Sequence, residues 1–175
     1  MLRMMSKHSK RTEDKKSIGR GIVSFLGNPE ILKLRKTAFL CSRAIPASIV
    51  LKCYDWAIEQ REKGKCVISG FHSKIEKDVL HYLLASGTQP VVMVLARGMT
   101  KQIEPKLKDA VKAKRLLIIT PFDSAVRKVS VVTAEKRNRF MINIADDIVI
   151  GYMSKEGMLE KIISGVRKKK ISFID

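Results

Sequence analysis

Three short segments combine hydroxyl, glycine and basic residues where predicted strands end. They are Ser42-Arg43, Ser69-Gly70 followed by Lys74, and Arg97-Gly98. An arginine side chain offers a planar set of N–H donors that matches phosphate oxygens, and hydroxyl groups and main-chain amides can donate to the same oxygens. These residue types favour the binding of phosphate groups, and we expect the three segments to converge on one crevice.

A fourth polar cluster opens the short helix predicted before the fifth core strand. After Glu135 it contains the candidate binding residues Lys136, Arg137, Asn138 and Arg139. Lys136 and Arg139 share a face of this helix, while neighbouring residues fan outward. The arginines would hold phosphates, and Asn138 would fix a loop or read a base edge. Taken alone, the cluster is better explained as a solvated basic helix terminus.

The segment from Cys66 to Leu84 predicts a strand, a tight loop and a helix. A short apolar run ends at Ser69-Gly70, and apolar residues then recur with helical spacing. Ser73 is the predicted N-cap, and Glu76 completes a capping box. The first turn of such a helix attracts anions, because its N–H groups and the helix dipole point at the loop. Most such junctions bind nothing, so this one only adds to the other segments.

Sequence motifs for other kinds of chemistry are absent. There is no GxGxxG dinucleotide loop, no GxxxxGK[ST] phosphate loop and no GxSxG nucleophile elbow. The three histidines have no thiol or carboxylate partner at metal-ligand spacing, and the three cysteines form no CxxC pair. A helix-to-strand turn explains the pair Asp146-Asp147. We therefore assign no catalytic residue, no metal site and no cofactor, and we expect reduced cysteines.

Charge is the strongest signal in the composition. The chain contains 35 Lys and Arg against 17 Asp and Glu, which gives a formal net charge of +18 at pH 7. Such an excess predicts a polyanionic partner. Nucleic acid is favoured over an anionic membrane, because no amphipathic basic helix with exposed apolar residues stands out. The alternative is a merely basic, solvated surface.

Length and hydrophobicity limit the class of protein. A chain of 175 residues suits one domain with a substantial core, and 45% hydrophobic residues are typical of a globular protein. No apolar run approaches the roughly 20 residues of a membrane helix, and no apolar region of a secretory signal follows the basic start. We expect a cytoplasmic protein with no membrane partner.

Two aromatic residues are candidates for base stacking. Aromatic side chains make up only 6% of the chain, and most of them fall within predicted core elements. Phe71 and Phe122 fall in predicted loops instead. Stacking on aromatic rings holds single-stranded nucleic acid without reading its sequence, so these two residues are the ones to test.

Predicted strands and helices alternate along the chain. Six core strands fall near residues 37–40, 66–68, 91–95, 116–119, 148–150 and 171–173, and Thr133 and Ser154 are the predicted N-caps of the last two helices. This alternation predicts an α/β, Rossmann-like, doubly wound and mostly parallel sheet with helices on both faces. A ligand would bind at the carboxyl ends of the strands. We expect residues 1–20 to form a basic flexible arm and residues 21–175 to form a single domain.

Taken together, the motifs resemble the Rossmann-like core domain of the DprA/Smf DNA-processing family over about Ile22 to Ile174. SFLGNPEILKLRKTAFLCSR is similar to the family's lead-in to its first strand and Gly-Ser-Arg motif. SGFHSKIEK resembles its Ser-Gly-x-Ala-x-Gly-Ile-Asp loop, and VMVLARGM resembles the strand and glycine loop that follow. KRNRFMINIADDIVIGYMSKEGML is similar to its Arg-Asn-Arg helix, Leu-Ser-Asp turn, next strand and Ser-Gly-x-Leu helix start.

Four positions depart from that family's pattern. Cys41, Lys74 and Ala96 stand where the family has glycine, and Glu76 stands where it has aspartate. Side chains therefore occupy places where bare backbone would approach a phosphate, which disfavours a tight pocket for a small nucleotide. Lys74 would compensate as a mobile phosphate contact. The helical N-terminal and winged-helix C-terminal domains of longer family members do not fit in this length.

The resemblance implies a non-enzymatic protein that binds single-stranded DNA in a basic crevice. It also implies a homodimer formed through the Rossmann-like domain and transfer of the strand to a RecA-type recombinase during transformation or recombination. One alternative is a nucleotide-ligand sensor or a LOG-like phosphoribohydrolase on a related fold, although the Pro-Gly-Gly-x-Gly-Thr-x-x-Glu motif of the LOG family is missing. Another alternative is a basic interaction module that uses the fold only as a scaffold.

Overall fold

A computed structural model describes residues 14–18, 21–100 and 102–175. Within these residues the chain forms one eight-stranded sheet, five α-helices and one short 3-10 helix, Pro29–Lys33. The strands are β1 (Asp14–Ile18), β2 (Gly21–Gly27), β3 (Lys36–Leu40), β4 (Cys66–Ser69), β5 (Val91–Val94), β6 (Leu116–Thr120), β7 (Asp147–Ile150) and β8 (Lys170–Phe173). The helices are α1 (Ala47–Glu62), α2 (Lys74–Leu84), α3 (Pro105–Lys112), α4 (Val131–Ile144) and α5 (Met158–Ile163).

The strand order of the sheet is β1-β2-β6-β5-β4-β3-β7-β8. All pairs among strands β3 to β8 are parallel. Strand β2 pairs antiparallel with β6, and β1 pairs antiparallel with β2. The chain winds from β3 out to β6 and then returns to the other side of β3 for β7. Connections therefore leave β3 and β7 toward opposite faces, which opens a crevice at their carboxyl ends. The predicted α/β, doubly wound and mostly parallel fold is confirmed.

Helices cover both faces of the sheet. One core cluster packs α1, α2 and α3 against one face, and another packs α4, α5 and the 3-10 helix against the opposite face. The central strands β4, β5 and β6 are buried along their whole length. The sequence of a strand that is covered on both faces is a continuous apolar run rather than an alternating one. These strands could therefore be predicted from the sequence.

Asp146 joins the start of β3 to the start of β7. Its carboxylate accepts a hydrogen bond from the Lys36 amide at 2.7 Å and lies 3.5 Å from the Lys36 ammonium group. That ammonium group is buried and also donates to the carbonyls of Leu32 and Leu34. Arg35 forms a bidentate pair with Asp147. The prediction that Asp146 and Asp147 belong to a helix-to-strand turn is therefore confirmed.

Part of the predicted flexible arm is a strand. Residues 14–18 form β1, which pairs with β2 in an antiparallel hairpin from Asp14 opposite Phe25 to Ile18 opposite Gly21. The boundary predicted at residue 21 therefore falls inside the hairpin, because pairing with β2 orders a segment that has little apolar surface of its own. The rest of the predicted arm, residues 1–13 and 19–20, lies outside the described residues.

The two predicted N-caps were also wrong. The N-cap of helix α4 is Ser130, whose hydroxyl accepts the Thr133 amide while the Thr133 hydroxyl accepts the Ser130 amide. Thr133 is thus the third helical residue of a reciprocal capping box. Helix α5 begins after Gly157 rather than Ser154, so a longer loop follows β7. That loop contributes to the crevice described below.

We predict that Asp146→Asn destabilises the fold by about 1 kcal/mol at pH 7, because it weakens a charged hydrogen bond and a partly exposed ion pair. The hydrogen bond from the Lys36 amide, with the Lys36 charge, lowers the pKa of the Asp146 carboxyl. A lowered folded-state pKa stabilises the protein above the unfolded value and this contribution is lost on acidification. Urea unfolding should therefore show a gap between wild type and variant at pH 7 that shrinks as the pH falls below the ordinary aspartate value of about 4; a constant gap would contradict the assignment.

Candidate functional site

The crevice at the carboxyl ends of β3 and β7 encloses about 350 Å³. Four parts of the chain line it: the loop after β3, the start of α2, the first half of α4 and the loop after β7. Its polar and charged lining residues are Ser42, Arg43, His72, Ser73, Glu76, Arg137, Asn138 and Ser154. The topology therefore brings two of the predicted polar segments, Ser42-Arg43 and Arg137-Asn138, to one place.

Arg137 supplies a buried positive charge to the crevice. Its side chain projects from α4 and is only 5% exposed. The guanidinium Nε donates to the Asn138 side-chain oxygen at 3.1 Å, and no ion pair of Arg137 occurs within the described residues. Burial lowers the pKa of Arg137, and the nearby Glu76 charge opposes that shift. An arginine nevertheless stays protonated in proteins, so the crevice keeps this positive charge.

Gly70 makes room for the Arg137 guanidinium. A Cβ atom at position 70 would overlap the Arg137 side chain at Nη1, Cζ and Nε. The glycine was predicted as part of a phosphate loop, and the structure gives it a steric role beside the cation instead. Any larger residue would push the guanidinium out of its position, which ties the SGF turn after β4 to helix α4.

The amino terminus of α2 is already occupied by its own carboxylate. Glu76 is buried, and its carboxylate accepts hydrogen bonds from the amides of His72 at 2.9 Å and Ser73 at 3.0 Å. The Ser73 hydroxyl in return accepts the Glu76 amide, so the predicted capping box is confirmed. Since these donors point at Glu76, the amides of His72 and Ser73 are not free to bind a ligand anion. Positive charge in the crevice comes from Arg137 and Arg43 instead.

Ser42 connects the two strands that flank the crevice. Its amide donates to the Tyr152 carbonyl at 2.8 Å, and its hydroxyl accepts the Ser154 amide at 3.0 Å. The adjoining Arg43 is exposed at the crevice rim. These hydrogen bonds join the loop after β3 to the loop after β7. Arg43 therefore extends from a backbone that is held in place.

Two predicted contacts of the strand-end loops do not fit their places in the structure. Ser69 is fully buried, and its hydroxyl donates to the Phe39 carbonyl at 2.8 Å. Its side chain therefore links β4 to β3 within the sheet. Gly98 packs against the backbone of Asp123 and Ser124 because a side chain there would clash. These residues were predicted from their position after a strand, which does not show whether a loop is open or covered.

The two candidate stacking residues also lie elsewhere. Phe71 is buried in the core on the α1 to α3 face of the sheet, where its backbone has a φ of 46°. Its loop position hid this burial, because the SGF turn directs the ring inward. Phe122 is half-buried and does not line the crevice. Neither ring is placed to stack on a base in the crevice.

Four predicted basic contacts lie outside the crevice lining. Lys74 is 88% exposed and pairs with Asp78 at 2.8 Å on the outer side of α2. Arg97 is exposed after β5, two strands away from β3. Lys136 is exposed on α4, and Arg139 pairs with Glu135 at 2.8 Å. Of this cluster only Arg137 and Asn138 line the crevice, whereas Lys136 and Arg139 lie on either side of that face of α4 and are exposed.

Sequence reasoning missed His72 and the exposed valines at the start of α4. His72 lines the crevice, and Val131 is a lining residue that is 72% exposed. Val132 beside it is 60% exposed. Two exposed β-branched residues in the first turn of a helix contribute little to the core or to helix propensity, which is the signal that could have marked them. Val131 therefore gives the rim of the basic crevice an apolar side chain.

The described part of the chain contains no metal cluster and no membrane-spanning helix. No group of three His, Cys, Asp or Glu side chains there could hold a metal ion. None of the described helices is long and apolar enough to cross a lipid bilayer.

Comparison with known proteins relates the domain to solved structures. DNA processing protein A (DprA) from Helicobacter pylori superposes with a TM-score of 0.70 at 16% identity, over 87% of this chain and 71% of that chain. The fold is that of DprA. DprA from Streptococcus pneumoniae gives a TM-score of 0.69 at 16% identity, over 87% of this chain and 54% of its own. The family resemblance seen in the motifs is thus confirmed for the fold. No family model and no curated protein sequence matches the chain.

Our second prediction concerns the charge around His72. Burial lowers the pKa of its imidazole, and the positive charges of Arg137 and Arg43 add to that effect, while Glu76 opposes it. Arg43→Ala should therefore raise the pKa of His72 part of the way toward its ordinary value. An NMR titration of the imidazole ring signals measures this shift, and Arg97→Ala is the matched control. Equal His72 titration in wild type and Arg43→Ala would show that Arg43 does not act on the crevice.

Proposed function

We propose that this protein binds single-stranded DNA in the crevice between β3 and β7, as a non-enzymatic DNA-processing protein. The observation that carries the proposal is the buried Arg137 guanidinium, which faces the crevice without an ion pair in the described residues. Burying a cation is costly unless a partner compensates it. A phosphate entering beside Arg43 would supply the missing negative charge.

The surroundings of Arg137 favour a nucleic acid over a small acid. The whole chain carries a formal charge of +18, far more than one or two phosphates would need. The apolar side chain of Val131 lines the same opening and offers contact to bases or sugars. In this proposal phosphates meet Arg43 and Arg137, while the aliphatic rim replaces the aromatic stacking that the sequence suggested.

The fold supports the same proposal. The H. pylori DprA that superposes on this chain is a single-stranded DNA-binding protein. A DprA-like role would further include a homodimer, passage of the strand to a RecA-type recombinase and action in the cytoplasm. These further points rest on the likeness in fold and motifs alone, and light scattering of the purified chain with and without DNA tests the dimer directly.

A nucleotide-binding role is the second candidate, because a crevice of about 350 Å³ is also large enough for a mononucleotide. A hydrolase would need a free carboxylate or another base near the ligand. Glu76 is the acidic residue that lines the crevice, and two backbone amides already occupy its carboxylate. The Glu76 carboxylate is therefore not free to act as that base.

Our third prediction separates the two candidates. Labelled single-stranded DNA should bind with higher affinity than duplex of equal length, and the preference should persist at physiological salt, because a shaped crevice adds to the electrostatic attraction. Fluorescence anisotropy across a salt series measures both affinities. Equal binding that disappears with salt would reject the proposal in favour of a basic surface, and displacement of the DNA by millimolar mononucleotide would favour the nucleotide role.

Our fourth prediction assigns the contacts. Arg43→Ala should weaken single-stranded DNA binding about three- to tenfold and reduce the slope of log affinity against log salt by about 0.7, the value for one lost phosphate contact. Arg137→Lys keeps the charge but removes the planar donor set, and we expect a loss of about tenfold. The control is Arg97→Ala, which removes an exposed arginine outside the crevice and should change the affinity less than twofold. Equal losses for Arg43→Ala and Arg97→Ala would place the DNA elsewhere.

A further inference from the structure

A second basic cavity lies on the same helix as the crevice, and we call it the α4–α5 groove. It encloses about 390 Å³ between the C-terminal half of α4, the end of α5 and the segment that leads into β8. Ile142 and Ile162 form an apolar floor, and the basic side chains that line it are Arg139, Arg167, Lys168 and Lys169. No acidic residue is among its lining residues in the described chain.

One of these four cations has a structural role. The Lys169 ammonium group donates to the Asn143 carbonyl at 3.0 Å and to the Ala145 carbonyl. These carbonyls lie at the C-terminal end of α4, where the helix lacks intrahelical donors and a cation is favourable. Lys169 therefore caps the C-terminal end of α4, and the other basic residues of the groove are not needed for that purpose.

The other three cations remain directed to solvent. Arg167 and Lys168 are exposed and make no ion pair or side-chain hydrogen bond within the described residues. Arg139 donates to Glu135 through Nε and one terminal nitrogen, which leaves the other terminal nitrogen for a ligand. Adjacent cations repel one another, so their arrangement around one cavity is unfavourable unless an anion lies between them.

The carboxylates closest along the chain do not neutralise the α4–α5 groove. Asp146 is held by the amide and ammonium group of Lys36. Glu160 accepts the amide of Glu156 at 2.6 Å. Glu135 is matched by Arg139 alone, so the groove keeps the charges of Arg167 and Lys168.

The position of the groove relates it to the crevice. Arg137 faces the crevice and Asn143 lines the groove, six residues further along α4, which corresponds to about 9 Å along the helix axis. A nucleic acid strand covers that distance in about three nucleotides at roughly 3.4 Å each. Arg139, which lines the groove, lies only two residues beyond Arg137 in α4. A single strand that leaves the crevice along α4 would therefore reach Arg167 and Lys168 with its next phosphates.

We infer that the α4–α5 groove binds the phosphate backbone of the same single-stranded DNA a few nucleotides beyond the crevice. This inference rests on the proposed function and adds the direction of the strand and the length of the site. It assigns phosphate contacts to Arg139, Arg167 and Lys168, whereas Lys169 keeps the end of α4 closed. The bound segment accordingly needs more nucleotides than the crevice can hold.

The test compares two lengths of single-stranded DNA. A labelled oligonucleotide of about 4 nucleotides fills the crevice, and one of about 12 nucleotides also reaches the α4–α5 groove. We expect Arg167→Ala with Lys168→Ala to weaken binding of the longer oligonucleotide about tenfold, to reduce its salt slope by about 1.4, and to leave the shorter one within twofold of wild type. Anisotropy of the full-length chain at several salt concentrations measures all three quantities.

The matched control is Lys108→Ala with Lys112→Ala, which removes two exposed charges from α3 on the opposite face of the sheet. It should affect neither length by more than twofold. Unchanged affinity of the groove variant for the longer oligonucleotide, equal loss for both lengths, or an equal loss in the α3 control would overturn the inference while the proposed function stands. A wild-type chain that binds neither oligonucleotide would instead overturn the proposed function and the inference together.

Discussion

The buried guanidinium of Arg137 is the constraint on which the crevice depends. The nearby Glu76 charge offsets only part of its charge, since the two side chains form no ion pair, and Glu76 is itself held by the amides of His72 and Ser73. Its volume is tolerated because position 70 is a glycine. A change at any of these positions alters the cation, so the start of α2, the SGF turn and helix α4 act as one unit.

The sheet topology places this unit at the crevice between β3 and β7, whose two sides are held together by hydrogen bonds. At the amino ends of β3 and β7 the Asp146 carboxylate joins the two strands through Lys36, and at their carboxyl ends Ser42 joins the loops through Tyr152 and Ser154. The crevice therefore lies between two parallel strands that are connected above and below. Its two arginines differ in exposure, since Arg137 is buried inside the crevice and Arg43 is exposed at the rim.

The fold could be predicted from the sequence to a large extent, because its central strands are continuous apolar runs separated by capped helices. The capping box at Ser73 and the turn at Asp146 were also predictable, since both depend on neighbouring residues. The site was predicted less well. Whether Ser69 and Phe71 face a ligand or the core depends on α1 and α2 packing over them, and nothing in the SGF motif encodes that burial. Within the run KRNR, only tertiary packing selects Arg137 as the inward residue.

Phe71 has a further consequence for the crevice. A bulky residue with a φ of 46° is held in a conformation that costs about 1 kcal/mol, and the burial of its ring compensates for that cost. The turn cannot move outward without bringing an aromatic ring into water. The backbone beside Arg137 is therefore preorganised, and a ligand that enters the crevice pays little conformational entropy to order it. Selectivity at such a rigid opening comes from the shape and flexibility of the ligand, which favours a strand that can bend to follow the protein.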